Sequence, residues 1–138
     1  SREWGRATYV RKAAEMAYRQ AGIKQPREAI GFAELDDTYA YKELQHLEAL
    51  DLVEEGKAGP FTEEGTSAPG GKLPVNASGG SLGMGDLLDA NGLARTLEVV
   101  LQLRGEAGGR QLKDVKTGLA QSWRGVPTTS TAVAVLSN

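Results

Sequence analysis

The stretch "GGSLGMGDLLDANG" (79–92) joins a glycine-rich loop to the start of an amphipathic pattern, and the fold is inferred outward from it. Five of its fourteen residues are glycine. A glycine-rich loop that leads into a helix lets the backbone come close to a charged ligand. Asp86 stands in this loop, where a site for an anion would favour a neutral or basic side chain. The stretch therefore predicts a ligand-binding loop whose charge does not suit a phosphate.

Composition sets the broad class of protein. The chain has 138 residues, of which 40% are hydrophobic, and this predicts one domain over 1–138. A net charge of −2 argues against a nucleic-acid binder. There is no cysteine and only one histidine, His46, so we expect no disulfide and no metal site. Neither the phosphate-loop pattern nor the dinucleotide fingerprint is complete, so we also expect no cofactor. The sequence shows no membrane span and no signal peptide, which predicts a cytoplasmic location.

Hydrophobic periodicity predicts six elements in the order helix, strand, helix, helix, strand, strand, over 8–21, 29–35, 38–52, 87–104, 116–123 and 130–137. Residues 54–80 form an irregular segment between them. Strands that alternate with helices, followed by two adjacent strands, indicate a layered α/β unit with a mixed sheet and a terminal hairpin.

The same patterns predict which faces are buried. The helix over 87–104 is expected to pack inward through its apolar residues, which are Leu87, Leu88, Leu93, Leu97, Val100 and Leu101. The alanine-rich helix over 8–21 is expected to offer an apolar face to another domain. His46 falls on the polar flank of its helix and is interpreted as a solvated surface residue. Asp36 or Asp37 would cap the helix over 38–52.

Four segments together resemble the C-terminal half of the thiolase superfamily, in its lipid-transfer-protein or sterol-carrier-protein-x branch. They are "AAEMAYRQAGI" (13–23), "IGFAELDDTYAYKELQHLEALDLVEEG" (30–56), "GGKLPVNASGGSLGMGDLLDANGLARTLEVVLQLRGEAG" (70–108) and "GLAQSWRGVPTTSTAVAVL" (118–136). They follow the family's order and span nearly the whole chain.

The resemblance implies a fold and an activity. Members have two similar halves and join or split acyl groups on coenzyme A, with a cysteine nucleophile in the N-terminal half. It implies that acyl-CoA is the substrate. It also implies three kinds of partner: an N-terminal half, a further copy of the protein in a dimer or larger homo-oligomer, and a small OB-fold protein. It also implies that the residues contacting coenzyme A come from the glycine loop: Asn76, Gly79, Gly80, Gly83 and Gly85.

The chain departs from the family where the chemistry would occur. The family's His-Asp-x-Phe box is here 36–39, which reads Asp-Asp-Thr-Tyr, and its Gly-His-Pro triplet is here 85–87, which reads Gly-Asp-Leu. Aspartate therefore replaces histidine at two positions, Asp36 and Asp86. An ionised carboxylate cannot donate a hydrogen bond to the enolate of a thioester. Ordinary thiolase chemistry is not expected from this chain.

Two interpretations of the site remain open. In the first, the full protein cleaves carbon–carbon bonds by retro-aldol chemistry, with Asp36, Asp37 or Asp86 as the base and Tyr39 or Tyr41 as a proton donor. Asp36, Tyr39 and Asp86 should then lie close together. Without a nearby cation, at least one carboxyl should have a raised pKa. In the second, the aspartates only cap helices, and the chain is a non-catalytic subunit that docks a partner.

Overall fold

The computed structural model describes residues 5–124 and 130–138, so the expected turn between the last two strands lies outside the described residues. The helices are α1 (Thr8–Ala21), α2 (Pro26–Ala29), α3 (Ala40–Ala49), α4 (Ala58–Glu63), α5 (Gly80–Met84) and α6 (Asn91–Arg104). The strands are β1 (Phe32–Glu34), β2 (Thr117–Arg124) and β3 (Ser130–Ser137). Two short 3₁₀ turns occur at Leu88–Ala90 and Gly108–Arg110.

The described strands form a mixed sheet in the order β1-β2-β3. β1 pairs with β2 in parallel, and Ala33 is opposite Leu119. β2 and β3 are antiparallel, and Leu119 is opposite Val135. This arrangement confirms the predicted α/β class with a mixed sheet and a terminal hairpin.

The sheet separates two apolar clusters because successive residues of a strand point to opposite faces. On one face α1 and α3 cover Ala33, Leu35 and Leu119 with Val10, Ala14 and Leu47 among others. On the other face α6 covers Phe32 and Ala120 with Val99. On α1, Val10, Ala14 and Tyr18 are buried within this chain and Ala13 and Ala17 are half-buried, contrary to the expectation that this face is offered to another domain.

Several predicted boundaries shift for local reasons. Residues 54–80 contain α4 and the start of α5, although the sequence predicted an irregular segment. The helix expected from residue 87 begins at Asn91, because Leu88 has a left-handed backbone with φ 54° that interrupts a helix. α3 begins at Ala40 without a side-chain cap, so neither Asp36 nor Asp37 caps it as predicted.

Gly118 allows β2 to approach β1 and α6 closely. A Cβ atom at this position would lie 2.4 Å from Cζ of Phe32 and 2.8 Å from Cγ1 of Val99. Both neighbours are fully buried. The α6-facing cluster is therefore packed against a bare backbone.

We expect Gly118→Ala to destabilise the fold by about 1–3 kcal/mol, because a well-packed core cannot absorb an extra methyl group without moving. Gly109→Ala is the matched control, since a Cβ there meets nothing within 4 Å. Urea unfolding of both variants measures the difference. Equal midpoints for Gly118→Ala and Gly109→Ala would contradict the packing described for this strand.

Candidate functional site

A buried arginine on α6 joins the segments that carry the predicted site residues. Arg95 is 5% exposed, and its Nε donates to the carbonyl oxygen of Leu35 at 3.0 Å. Its Nη1 lies 3.2 Å from Oδ2 of Asp36, and its Nη2 lies 3.6 Å from Oδ1 of Asp37. The two aspartates follow β1 directly and are each 2% exposed. One guanidinium therefore compensates two buried carboxylates.

The same guanidinium reaches two serine hydroxyls. Nη1 of Arg95 donates to Oγ of Ser122 on β2 at 3.2 Å, and Nη2 donates to Oγ of Ser81 on α5 at 2.8 Å. The side chain thus contacts the end of β1, the glycine loop and the sheet strand β2 at once. A planar fork of five N–H donors suits such a junction, whereas a lysine would not.

Asp37 holds the glycine loop in place. Its Oδ1 accepts the backbone N–H of Ser81 at 2.7 Å, and its Oδ2 accepts that of Leu82 at 3.4 Å. A Cβ on Gly80 would lie only 2.0 Å from Oδ2 of Asp37. Gly80, with φ +60°, is therefore required by the contact with a carboxylate of this chain. Asp37 caps α5 rather than the helix that follows it in sequence.

A cavity of about 500 Å³ opens beside Asp36. Asp36, Tyr39 and Asp86 all line it, as predicted from the sequence. The rest of its wall combines hydroxyl, amide, aromatic and charged side chains with a few small or apolar residues: Thr38, Leu88, Asp89, Asn91, Gly92, Ser122, Trp123, Arg124, Ser130, Thr131 and Ala132. Asp37 and Tyr41 are not among the lining residues in the described part of the chain.

The expected charge state of this cavity is corrected by two contacts. The sequence predicted carboxylates without a nearby cation, but Arg95 lies between Asp36 and Asp37. The pKa of Asp86 is lowered, first by the hydrogen bond that Nδ2 of Asn91 donates to Oδ1 and then by the backbone N–H of Leu88. Asp86 is exposed and bears its charge more readily than a free aspartate.

His46 is buried, and its interpretation as a solvated surface residue is wrong. The side chain is 1% exposed, and Nδ1–H of the neutral imidazole donates to the carbonyl oxygen of Asp36 at 2.9 Å. Burial lowers its pKa to about 4. The prediction failed because the flank of α3 that carries His46, although polar in sequence, faces the buried backbone that follows β1. His46 fixes Asp36 from beneath the cavity and stays uncharged at neutral pH.

An aromatic wall stands at one side of the cavity. The rings of Tyr39 and Tyr41 are stacked with centroids 6.0 Å apart. The buried ammonium of Lys42 lies 5.4 Å from the Tyr41 ring and 5.3 Å from the Trp123 ring, and it donates to Oε1 of Gln45. Burial lowers the pKa of Lys42. One cation therefore links the tyrosines after β1 with the tryptophan on β2.

The other predicted binding residues lie away from this cavity. Oδ1 of Asn76 accepts the backbone N–H of Leu35, and its Nδ2 donates to Glu43. Gly80 and Gly85 border a crevice of only about 10 Å³. Gly79 and Gly85 have positive φ values of 100° and 98°. The conformation of the loop itself accounts for glycine at these two positions. Contact of Asn76, Gly79, Gly80, Gly83 and Gly85 with coenzyme A stays a prediction.

The orientation of α6 is the reverse of the expectation. Its buried positions are Arg95, Glu98, Val99 and Gln102, which follow helical spacing but are mostly polar. Leu93 and Leu97 are 74% and 55% exposed, although the sequence placed them inside. Val100 and Leu101 are half-buried. The spacing of polar residues at 95, 98 and 102 was the signal that a second, polar face had an inward role.

These polar side chains are satisfied beneath the sheet. Oε2 of Glu98 accepts from Nη2 of Arg110 at 2.8 Å, and Oε1 of Glu98 accepts from Gln102. Gln102 in turn accepts the backbone N–H of Leu112 at 2.7 Å. In the described part of the chain, no three histidine, aspartate or glutamate side chains are grouped as metal ligands would be. None of its helices combines the length and apolar character of a membrane span.

The layered mixed-sheet fold with its glycine loop defines a class that comparison with known proteins identifies. The family model "Thiolase C-terminal domain-like" matches residues 1–138. The chain belongs to this family, as the sequence predicted.

Similar proteins narrow the relationship. Sterol carrier protein 2 of Oryctolagus cuniculus is 41% identical over 109 residues, which are 79% of this chain and 20% of that protein. An acetyl-CoA acetyltransferase of Methanothermobacter thermautotrophicus is 37% identical over 78% of this chain and 28% of its own length. The solved "Ltp2-ChsH2(DUF35) aldolase" has a TM-score of 0.78 at 31% identity and covers 93% of this chain and 31% of its own. The chain therefore spans about a fifth of the sterol carrier protein.

We expect Arg95→Met to destabilise the fold by about 3–5 kcal/mol, because it leaves two buried carboxylates without their cation. Arg104→Met is the control, since Arg104 pairs with Glu106 at the surface and such a pair contributes about 1 kcal/mol or less. Adding Asp36→Asn and Asp37→Asn to Arg95→Met should recover part of the loss. Similar unfolding midpoints for the two single arginine variants would disprove the compensating role of Arg95.

Proposed function

We propose that this chain is the C-terminal domain of a thiolase-like protein that acts on acyl-CoA, and that the assembled protein cleaves a β-hydroxyacyl group by retro-aldol chemistry. The observation that carries the proposal is the shared cavity of Asp36, Tyr39 and Asp86. Family membership and the likeness to a solved aldolase support it. The reaction needs no cysteine, and this chain has none.

The groups in the cavity suit the proton transfers of such a reaction. A base removes the proton of the β-hydroxyl, whose oxygen then forms a carbonyl as the bond between the α and β carbons breaks. The electron pair of that bond passes to the thioester as an enolate, and a proton donor returns a proton to the α carbon. The products are an aldehyde or ketone and a shortened acyl thioester.

The contacts favour particular residues for these two roles. Asp37 holds Ser81 and Leu82 and does not line the cavity, so it is the weakest candidate for the base. Asp36 lines the cavity but lies against Arg95. Asp86 lines the cavity, is exposed and makes no ion pair among the described residues, so it is our choice for the base, although its lowered pKa makes it a weaker base than a free aspartate. Tyr39 is our choice for the proton donor because its exposed ring borders the same space.

We expect Tyr39→Phe to lower turnover of a β-hydroxyacyl-CoA by about 10²–10⁴-fold in the protein that contains both halves, because general acid catalysis is lost. Tyr41→Phe is the matched control, since that ring stacks on Tyr39. Release of the carbonyl product is the readout, and circular dichroism checks the fold. If both variants turn over like the parent, Tyr39 is not the proton donor. The 138-residue chain alone should not condense acetyl-CoA.

A second candidate function, a non-catalytic subunit that binds a partner, is favoured by one observation. The exposed apolar residues of the glycine loop and of α6 form what we call the leucine face: Leu82, Met84, Leu87, Leu88, Leu93 and Leu97. Exposed apolar surface of this kind marks protein interfaces. We propose that the N-terminal half of the thiolase-like protein covers it, since this chain matches only a part of each relative. A homo-oligomer, a small OB-fold partner and a cytoplasmic location remain predictions.

The leucine face should make the isolated chain self-associate. We expect Leu93→Glu with Leu97→Glu to shift it toward the monomer in sedimentation, because each charge removes apolar area from the contact. Tyr9→Glu with Met16→Glu is the control, since both side chains are exposed on α1. A parent chain that stays monomeric at high concentration would argue against this interface. Equal effects of the two double variants would place the contact elsewhere.

A further inference from the structure

A fully buried carboxyl on β1 lies under the glycine loop and has no place in the proposed reaction. Glu34 is 0% exposed. Its Oε1 accepts the backbone N–H of Ser78 at 3.1 Å, and its Oε2 accepts the hydroxyl of Ser78 at 2.5 Å. Both oxygens of one side chain are thus used on a single residue at the start of the loop.

Ser78 passes this contact on to the loop. Its Oγ accepts the backbone N–H of Gly80 at 3.1 Å, while Ser81, the next residue, donates its N–H to Asp37. Glu34 and Asp37 lie three residues apart on and just after β1, and they hold the loop on either side of Gly80, at Ser78 and at Ser81 with Leu82. The close fit of Gly80 against Asp37 therefore depends on two carboxyls, of which only Asp37 is compensated by a direct contact with Arg95.

Neighbouring charges act in opposite directions on the ionisation of Glu34. From α6, the like charge of Glu98 opposes its ionisation and the cation of Arg95 favours it, while Arg110 from the turn at Gly108–Arg110 also attracts it. Burial is the largest cause and raises the pKa of Glu34 to about 7. Both the neutral and the charged forms are therefore populated near neutral pH.

We infer that Glu34 is a positioning residue that sets the glycine loop through Ser78, and that the loop responds when this carboxyl gains or loses its proton. The ionised carboxylate accepts both donors of Ser78. Once Oε2 is protonated, it donates to Oγ of Ser78 instead of accepting from it. The hydroxyl hydrogen of Ser78 must then turn away and Oγ must accept from Glu34 and Gly80 together, which weakens the link to Gly80. This device is independent of the reaction proposed for the cavity.

The test follows backbone amide shifts of the 138-residue chain by NMR from about pH 5 to about pH 9. In the parent, the amides of Ser78, Gly80 and Ser81 should titrate together near pH 7, and in Glu34→Gln they should not. Glu48→Gln is the matched control, because Glu48 accepts the N–H of Ala58 instead. His46 does not interfere, since its pKa of about 4 lies below this range.

A second variant separates the titration from its transmission. In Ser78→Ala, the carboxyl carbon of Glu34 should still titrate, at a higher pH than in the parent because the hydroxyl that lowers its pKa is gone, while the Gly80 and Ser81 amides no longer follow it. Titration of these amides unchanged in Glu34→Gln, or in Ser78→Ala, overturns the inference. A parent chain whose loop amides do not titrate overturns it as well.

Stability gives an independent readout with a defined sign. The folded pKa of Glu34 lies above its unfolded value, so its stabilising contribution is full below about pH 4.5 and is lost as the pH rises through about 7. His46, whose folded pKa is lowered, acts in the opposite direction below about pH 6.5. Subtracting the Glu34→Gln profile from that of the parent removes the His46 contribution. If the free energy of unfolding of the parent minus that of Glu34→Gln does not decrease between about pH 4.5 and about pH 7, the assignment is contradicted.

Discussion

The buried ion pairs between Arg95 and the two aspartates after β1 are the interaction on which the site depends. Burying a charge costs a large free energy unless the charge is paired and hydrogen-bonded. Arg95 meets this condition through Leu35, Asp36, Asp37 and two serine hydroxyls, and in doing so it holds the end of β1 against α5 and β2. The positions of the loop and of the cavity wall follow from this one side chain.

This constraint also explains why α6 presents its polar side to the sheet. An arginine that must reach Asp36 has to point inward, and Glu98 and Gln102 lie on the same side of the helix. Once that face is committed, the leucines at 93 and 97 can only point outward. The same geometric requirement therefore has two results: the leucine face stays uncovered in the described chain, and the buried side of α6 is polar. The first suits a partner domain, and the second supports the cavity.

Asp36 and Asp86, the two aspartates that the resemblance places where the family has histidine, differ in their surroundings. Asp36 is buried, ion-paired to Arg95 and held at its carbonyl by His46, so it serves the structure as well as the cavity. Asp86 is exposed and stays ionised through Asn91 and Leu88. The two carboxylates line one cavity, but only Asp86 is free of a buried cation. One cavity thus combines an exposed carboxylate with one that is fixed by a buried ion pair.

The sequence alone determined the layered α/β class, the order of the three longer helices and the three strands, the terminal hairpin and the family, because these follow from local periodicity and from motifs in a fixed order. It did not predict the short helices α2, α4 and α5. It also predicted that Asp36, Tyr39 and Asp86 lie close together, because the segment 36–39 and the glycine loop carry them, and all three line one cavity. It did not determine which face of α6 is buried, the burial of His46, or the roles of Arg95 and Glu34. The roles of Glu34 and Arg95 depend on partners 44 and 60 positions away, which are Ser78 and Leu35, whereas His46 contacts the backbone of Asp36 only 10 positions away. Periodicity shows that a helix has an apolar side, but only the tertiary structure decides which side faces the core. In α6 the polar side faces inward, because its buried charges are paired there.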